Sequence, residues 1–297
     1  MGRIKLPALG ITTLDGADEY MTNLELIQES FLKREFKRHV PKTEYPELRI
    51  TVPDSFETIE LAPLYDVHMG SKEHDGKLFQ RHLEWIAETP NVLSWLGGDI
   101  FENKTANEAY MGHDPLSPEE QLLLATETLA PVQHKLFCSF PGNHEARTAK
   151  QAGMDSAKRL AENLRLPYFT DYVIITIKWR GNKFRILAMH GAGGGSTPGA
   201  QRNSARKELT WIHPDIIWSG HLHQPLTDPV KMFCFDQKTD EVYEKDSLVI
   251  ISPSYVKYFG GYAAAKRLSP GLRGLGVVIL NEDGRLDSSV HARGPRK

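Results

Sequence analysis

Apolar and polar positions fall into two kinds of block along the chain. Short apolar runs recur at ETIELAPLY (57–65), NVLSWLG (91–97), HKLFCSF (134–140), KFRILAM (183–189) and PDIIWS (214–219). Runs of this length, closed by glycine, proline or a polar residue, are the pattern of strands buried on both faces. Helical patterns lie between them. From Asp75 to Glu88, Phe79, Leu83 and Ile86 stand at i, i+4 and i+7, and Pro90 ends the segment. Ser117 followed by Pro118 reads as an N-cap with proline at the first helical position. A third amphipathic helix is expected over 153–165, through Met154, Leu160 and Leu164.

Strands alternating with helices predict an α/β layered domain, in which ligands gather beyond the carboxyl ends of the strands. After about residue 226 the helices stop, and PVKMFCFD, EVYEKDSLVIIS, GLGVVILN and RLDSSVHA predict antiparallel strands that complete a second sheet. Residues 1–48 differ from the rest and read as an N-terminal extension or arm. They include an expected helix, Leu24 to Arg38, with a basic second half (Lys33, Arg34, Lys37, Arg38).

Composition narrows the class only modestly. In 297 residues, 40% hydrophobic and 25% charged, there is no run of about 18 apolar residues to span a membrane and no uninterrupted apolar stretch near the start to act as a signal peptide, so a cytoplasmic protein is expected. Cys138 and Cys234 both sit in apolar stretches and read as buried reduced thiols. A net charge of −2 names no partner. The end of the chain is locally basic: Lys257, Lys266, Arg267, Arg273, Arg285, Arg293, Arg296 and Lys297 face only Glu282, Asp283 and Asp287 between 256 and 297.

Histidine departs from expectation. Five of the twelve, His68, His144, His190, His221 and His223, fall in short motifs that also carry Asp, Asn or Gly, and each motif directly follows an apolar run. Asp66-Val67-His68 offers a carboxylate and an imidazole two apart, a donor pair suited to a borderline transition metal. Asp99, in Gly97-Gly98-Asp99-Ile100-Phe101-Glu102-Asn103, is a carboxylate whose two oxygens can face two ions. Asn143 adds an amide oxygen beside His144. His190-Gly191 and Gly220-His221-Leu222-His223 add three imidazoles. Counting donors gives four for one ion (Asp66, His68, Asp99, His223) and four for a second (Asp99, Asn143, His190, His221), with Asp99 shared. His74, His82, His113, His134 and His213 read instead as surface or satisfied loop histidines.

The series D-x-H, G-D-x-x-E-N, G-N-H-E, H-G and G-H-x-H, in that order from Asp66 to His223, resembles the calcineurin-like metallophosphoesterase superfamily. The resemblance implies a four-layer α/β/β/α sandwich of two mixed sheets over 49–297 and a dinuclear centre of divalent ions, manganese foremost, with iron, zinc or nickel also suited to these donors. It implies hydrolysis of a phosphoester by in-line attack of a hydroxide shared by the two ions, whose presence lowers the pKa of water from about 15.7 toward about 7. Asp99 bridges the ions in that picture, and His144, matching the motif histidine that holds no metal, acts on the leaving oxygen. Arg147 and Asn103 flank two motifs and are expected to touch the phosphate.

Two departures within the motifs lean toward a phosphodiester. Glu102-Asn103-Lys104 stands where phosphoprotein phosphatases continue into Asp-Arg-Gly, and the G-H-x-H ending is more typical of phosphodiesterases and nucleases. The nuclease version is preferred: Arg202, Arg206 and Lys207, with Lys266, Arg267 and Arg273, would line a groove tracking a DNA or RNA backbone. The alternatives are a small-molecule phosphodiesterase or phosphomonoesterase, and a non-catalytic metal-binding scaffold. Gly191 to Ser196 lacks the phosphate-loop pattern and reads as a wall of the site. The sequence shows no membrane partner, and neither a heptad nor an apolar stripe demands a dimer.

Overall fold

The computed structural model describes residues 36–104, 116–194, 197–259, 264, 267 and 269–292. Twelve strands form two mixed sheets among these residues. In chain order the strands are β1 (Lys37–His39), β2 (Glu47–Thr51), β3 (Thr58–Leu61), β4 (Val92–Leu96), β5 (Leu136–Ser139), β6 (Tyr172–Trp179), β7 (Asn182–Met189), β8 (Ile216–Ser219), β9 (Leu226–Phe235), β10 (Val242–Ile251), β11 (Leu275–Asn281) and β12 (Leu286–His291). The larger sheet has the order β1-β2-β6-β7-β8-β10-β9, the smaller β12-β11-β3-β4-β5. The strands that precede the histidine motifs pair in parallel, β3 with β4, β4 with β5 and β7 with β8. Their carboxyl ends therefore lie along common edges, which brings motifs distant in sequence to one place.

The core between the sheets is built from both. Ile50, Ile175, Ile177, Ile186, Ile216 and Ile250 of the larger sheet meet Ile59, Leu61, Trp95, Phe137, Val278 and Leu280 of the smaller. Helices α1 (Gly76–Glu88), α2 (Pro118–Leu129) and α4 (Ser156–Asn163) cover the outer face of the smaller sheet, burying Phe79, Leu83, Leu129 and Leu160 against Leu96, Leu136 and Val277. On the other side α5 (Pro198–Arg206) seats Ala205 against Leu187, Ile217, Val249 and Ile251 of the larger sheet. The result is the four-layer α/β/β/α sandwich. The remaining helix, α3 (Asn143–Ala152), begins inside the third motif.

The expected helix starts hold. The Asp75 carboxylate accepts from the Leu78 N–H, and Ser117 with Glu120 closes a capping box ahead of Pro118. Three expectations are corrected. The strands after residue 226 do not make one sheet: the antiparallel pair β9–β10 extends the larger sheet and β11–β12 the smaller, because β10 pairs in parallel with β8 while β11 pairs with β3. The helix expected over 153–165 is confined to Ser156–Asn163, since Asp155 caps it through the Lys158 N–H and leaves Met154 outside. Of the basic helix Leu24 to Arg38, residues 24–35 lie outside the described residues, and Lys37 and Arg38 are extended in β1. Strand β1, inside the expected arm, already belongs to the larger sheet, because β1 pairs with β2 and β2 with β6.

Candidate metal centre

Five strand ends deliver the motif residues to one cluster. Asp66 and His68 follow β3, Asp99 follows β4, Asn143 follows β5, His190 follows β7, and His221 and His223 follow β8. Asp66, His68 and His223 form one group of donor atoms and Asp99, His190 and His221 another, all within 4.8 Å of one another inside each group. Asp99 also groups with His68 and His144, so it stands between the two. Its Oδ2 lies 3.2 Å from His190 Nε2 and 3.9 Å from the Nε2 atoms of His68 and His144. Asn143 Oδ1 completes the second group, 2.8 Å from His221 Nδ1 and 3.2 Å from His190 Nε2. All seven expected donors are therefore together, four on the side of the smaller sheet and three on that of the larger.

The backbone is held in an uncommon conformation to achieve this. Asp66, His68, Asp99, Asn103, His221 and His223 all have positive φ, between 45° and 67°. For residues with a Cβ this region costs energy and persists only where surrounding contacts impose it. Two of those contacts explain motif glycines. A Cβ on Gly142 would stand 2.1 Å from Asp99 Oδ1, and one on Gly220 would stand 2.4 Å from Asp66 Oδ2. In their place the His144 N–H donates to Asp99 Oδ1 at 2.9 Å, and the His221 N–H donates to Asp66 Oδ2 at 2.9 Å.

Several residues that hold the donors in place were not foreseen. Glu145 is fully buried and accepts the backbone N–H groups of Asp99, Phe101 and Gly142, clamping the turn after β4 to the turn after β5. Burial and the neighbouring Asp99 charge raise its pKa, against the N–H donors. Glu102 accepts from His68 Nδ1 at 2.9 Å. Gln121 of α2 accepts the N–H groups of Glu102 and Asn103. Tyr65, immediately before Asp66, accepts from Trp95 Nε1 and donates to the Trp218 carbonyl, joining the sheets beneath the cluster. Only Glu102 and Glu145 left a signal in the sequence, as carboxylates inside the motifs.

The donor set fits divalent first-row cations. His68 Nδ1 faces the Glu102 carboxylate, His190 Nδ1 faces the Gly97 carbonyl at 3.0 Å, and His144 Nδ1 faces the Glu102 carbonyl at 2.5 Å. Each acceptor fixes the proton on Nδ1 and leaves the Nε2 lone pair aimed at the cluster, the outer arrangement that orients histidine ligands. The charges agree. Burial pushes the Asp66 and Asp99 carboxyls up, but the surrounding imidazoles reverse this, lowering Asp66 and holding Asp99 well below the usual carboxylate range. Glu102, likewise opposed by burial, is brought down to about 2 by its bond from His68. Burial works against a charged His190, yet Asp99 raises it to about 10. Asp66, Asp99 and Glu102 are thus held as carboxylates, and the second proton that Asp99 favours on His190 occupies a place that a bound cation would take.

The remaining expected residues are less uniform. His144 is partly buried, three residues before Arg147 on α3. Asn103 does not face a substrate: it is fully buried, and its Nδ2 donates to Thr148 and Ser156. The expected basic groove has carboxylates among its cations. Arg202 and Arg206 both bind Asp228, and Arg273 binds Asp75, so three of its six cations are engaged by carboxylates. Lys266 lies outside the described residues, as does His113. His82 is not a surface histidine but fully buried on α1, bonded to the Tyr255 hydroxyl at 2.9 Å. Cys138 is buried in the core and Cys234 partly buried, both as free thiols.

No protein-family model matches the chain, and no curated protein matches it. Solved structures similar to it include a conserved uncharacterized protein of Streptococcus pneumoniae TIGR4, termed a predicted phosphoesterase, with 11% identity, a TM-score of 0.33, and coverage of 80% of this chain and 100% of that one. Another is the solution NMR structure of a Thermotoga maritima protein, with 12% identity, a TM-score of 0.34, and coverage of 79% of this chain and 99% of that one. No helix among the described residues is long and apolar enough to cross a membrane.

Proposed function

We propose that this chain is a dinuclear metal-dependent phosphoester hydrolase of the calcineurin-like superfamily, and that its substrate is a phosphodiester. The observation that carries this reading is the placement of Asp99 Oδ2 between two groups of imidazole, carboxylate and amide donors. Asp66, His68, Asp99 and His223 would hold one ion and Asp99, Asn143, His190 and His221 the other, manganese being the cation suited first. Divalent ions bound there supply Lewis-acid polarisation of the phosphoryl oxygens and make water acidic enough to ionise near neutral pH.

The chain's own residues supply the rest. His144 has its Nδ1 tied to the Glu102 carbonyl, so Nε2 is the atom left to meet a substrate beside the cluster. Against its burial, the charges of Asp99 and Glu102 favour the doubly protonated ring. In that form the proton on Nε2 passes to the leaving oxygen as its bond to phosphorus breaks while Nδ1 keeps its own, a contribution of about 10²–10⁴-fold for a positioned general acid. Arg147, three residues further along α3, is assigned to the non-bridging phosphate oxygens.

The preference for a diester rests on the motif pattern, with Glu102-Asn103-Lys104 after Gly98-Asp99 and G-H-x-H at His221–His223. Between nucleic acid and a small diester, the pairing of Arg202 and Arg206 with Asp228 and of Arg273 with Asp75 favours the small one, since three arginines held by two carboxylates present less free charge to a phosphate backbone. The test is turnover by metal-stripped protein refilled with manganese, on single- and double-stranded DNA, an aryl phosphodiester and an aryl phosphomonoester. Hydrolysis of the aryl diester above the monoester, with intact DNA, is the expected result. Manganese-dependent cleavage of DNA would establish the nuclease reading, and no turnover on any of them would remove the hydrolase.

A further inference from the structure

The glycine segment after His190 and the helix that follows it form a connected path to the second group of donors. Helix α5 is capped by Thr197, whose hydroxyl accepts the Ala200 N–H. Arg202 and Arg206, one turn apart, both reach the same carboxylate, Asp228 on β9. Arg202 Nε donates to Oδ2 at 2.9 Å and Arg206 Nη2 to Oδ1 at 2.9 Å. Two closer bonds, from Arg202 Nη2 to Oδ1 and from Arg206 Nε to Oδ2, complete the clasp. Asp228 is 2% exposed, and four N–H donors use its acceptor capacity. The clasp fixes α5 against the outer face of the larger sheet, where Ala205 is buried.

From α5 the path continues to the cluster. The Ser204 hydroxyl donates to the Ala192 carbonyl at 3.2 Å. The next residue, Gly193, has φ +92° and turns its carbonyl to within 2.9 Å of His221 Nε2. A carbonyl only accepts, so this contact places the His221 proton on Nε2. The Nδ1 lone pair is then left facing Asn143 Oδ1, 2.8 Å away, beside Asp99 and His190.

We propose that Asp228 is a positioning residue for the second metal group: through Arg202, Arg206 and Ser204 it holds the Gly193 carbonyl that sets the tautomer and ring orientation of His221. The inference rests on the metal-centre reading above. It replaces the expected contact of Arg202 and Arg206 with a phosphate backbone by a role in the fold, and gives the glycine segment a specific task. Neither Asp228 nor Ser204 touches the donor atoms, so their effect on one ion and not the other separates positioning from bulk stability.

The experiment is calorimetric titration of chelator-stripped full-length protein with manganese, for the wild type, Asp228→Ala, Asp228→Glu and Ser204→Ala. The wild type is expected to bind two ions per chain. Asp228→Ala is expected to keep one ion at wild-type affinity and to weaken the other by about 10–100-fold, the scale of an outer ligand-orienting contact. Asp228→Glu should recover part of that loss, and Ser204→Ala should weaken the same ion by a smaller factor. If Asp228→Ala does not fold, Ser204→Ala decides alone. Wild-type affinities for both ions in the variants that fold would overturn the proposal and leave the clasp a structural staple. A wild type that binds fewer than two ions would overturn the metal-centre reading itself, and this inference with it.

Discussion

His68, His144 and His190 each commit one ring nitrogen to an oxygen acceptor and present the other to the cluster. For His68 the acceptor is the ionised Glu102 carboxylate, which both orients the ring and strengthens the other nitrogen as a donor. Glu102→Gln is therefore expected to weaken manganese binding by about 10–100-fold while leaving the fold intact, measured by titration of the stripped protein. His144 is distinct, because its Nε2 belongs to the substrate in this account. His144→Ala should lower kcat by about 10²–10⁴-fold on an aryl diester with the bound manganese unchanged. A loss of metal together with activity would make His144 a ligand and leave the proton transfer without a donor.

At the scale of elements, what matters is how turns are locked to one another. The Glu145 carboxylate joins the turns after β4 and β5 through three backbone N–H groups, and α3 starts where that clamp closes. Charge-assisted bonds of this kind are worth about 1.5–3 kcal/mol each, and buried donors left unpaired add to the loss. Glu145→Ala is expected to destabilise the protein by about 3 kcal/mol or more, read from urea unfolding. A second prediction concerns α1. Burial and the neighbouring His291 lower His82 to about 4 in the folded state, against 6.5 as the ordinary value. The unfolded chain then binds the extra proton first, so stability contributed by neutral His82 is present above pH 6.5 and is lost as pH falls toward 4. The loss approaches about 3 kcal/mol at about 1.4 kcal/mol per unit. His82→Gln should flatten the fall in unfolding free energy between pH 7 and 4.5, and an unchanged slope would contradict it.

These elements also show what a sequence can and cannot disclose. The strands before Asp66, Asp99, Asn143, His190 and His221 were legible because each is a short apolar run ending in a polar motif, and the seven donors followed from them. Sheet membership was not, since the runs after residue 226 look alike whichever sheet they join. The pairing of β10 with β8 is decided by packing across the whole molecule. Asn103 and His82 were misjudged for the same reason: a polar residue next to a motif or on a helix discloses its type but not its burial. Arg202 and Arg206 looked like free cations because their partner, Asp228, lies more than twenty positions away. Helix α3 was missed because its first residues carry the chemistry and little apolar periodicity.

Over the whole molecule, each donor group draws on both sheets. Asp66 and His68 come from the smaller sheet and His223 from the larger, while Asp99 and Asn143 face His190 and His221 across the same divide. A bound cation would thus cross-link the two halves of the sandwich above the Trp95, Tyr65 and Trp218 contact. Manganese at a hundred times its dissociation constant should stabilise the fold by about 2.7 kcal/mol per site, visible as a higher thermal midpoint that a chelator reverses. No shift would mean that manganese does not bind the folded chain in preference to the unfolded one.

The most direct test of the central claim is to follow aryl phosphodiester turnover while manganese is added stepwise to chelator-stripped protein. The account predicts turnover that rises to a plateau at two ions per chain and is abolished in Asp99→Asn, whose side chain offers one carboxylate oxygen fewer to bridge the groups. Turnover that saturates at one ion, or that survives Asp99→Asn unchanged, would contradict a centre shared through Asp99.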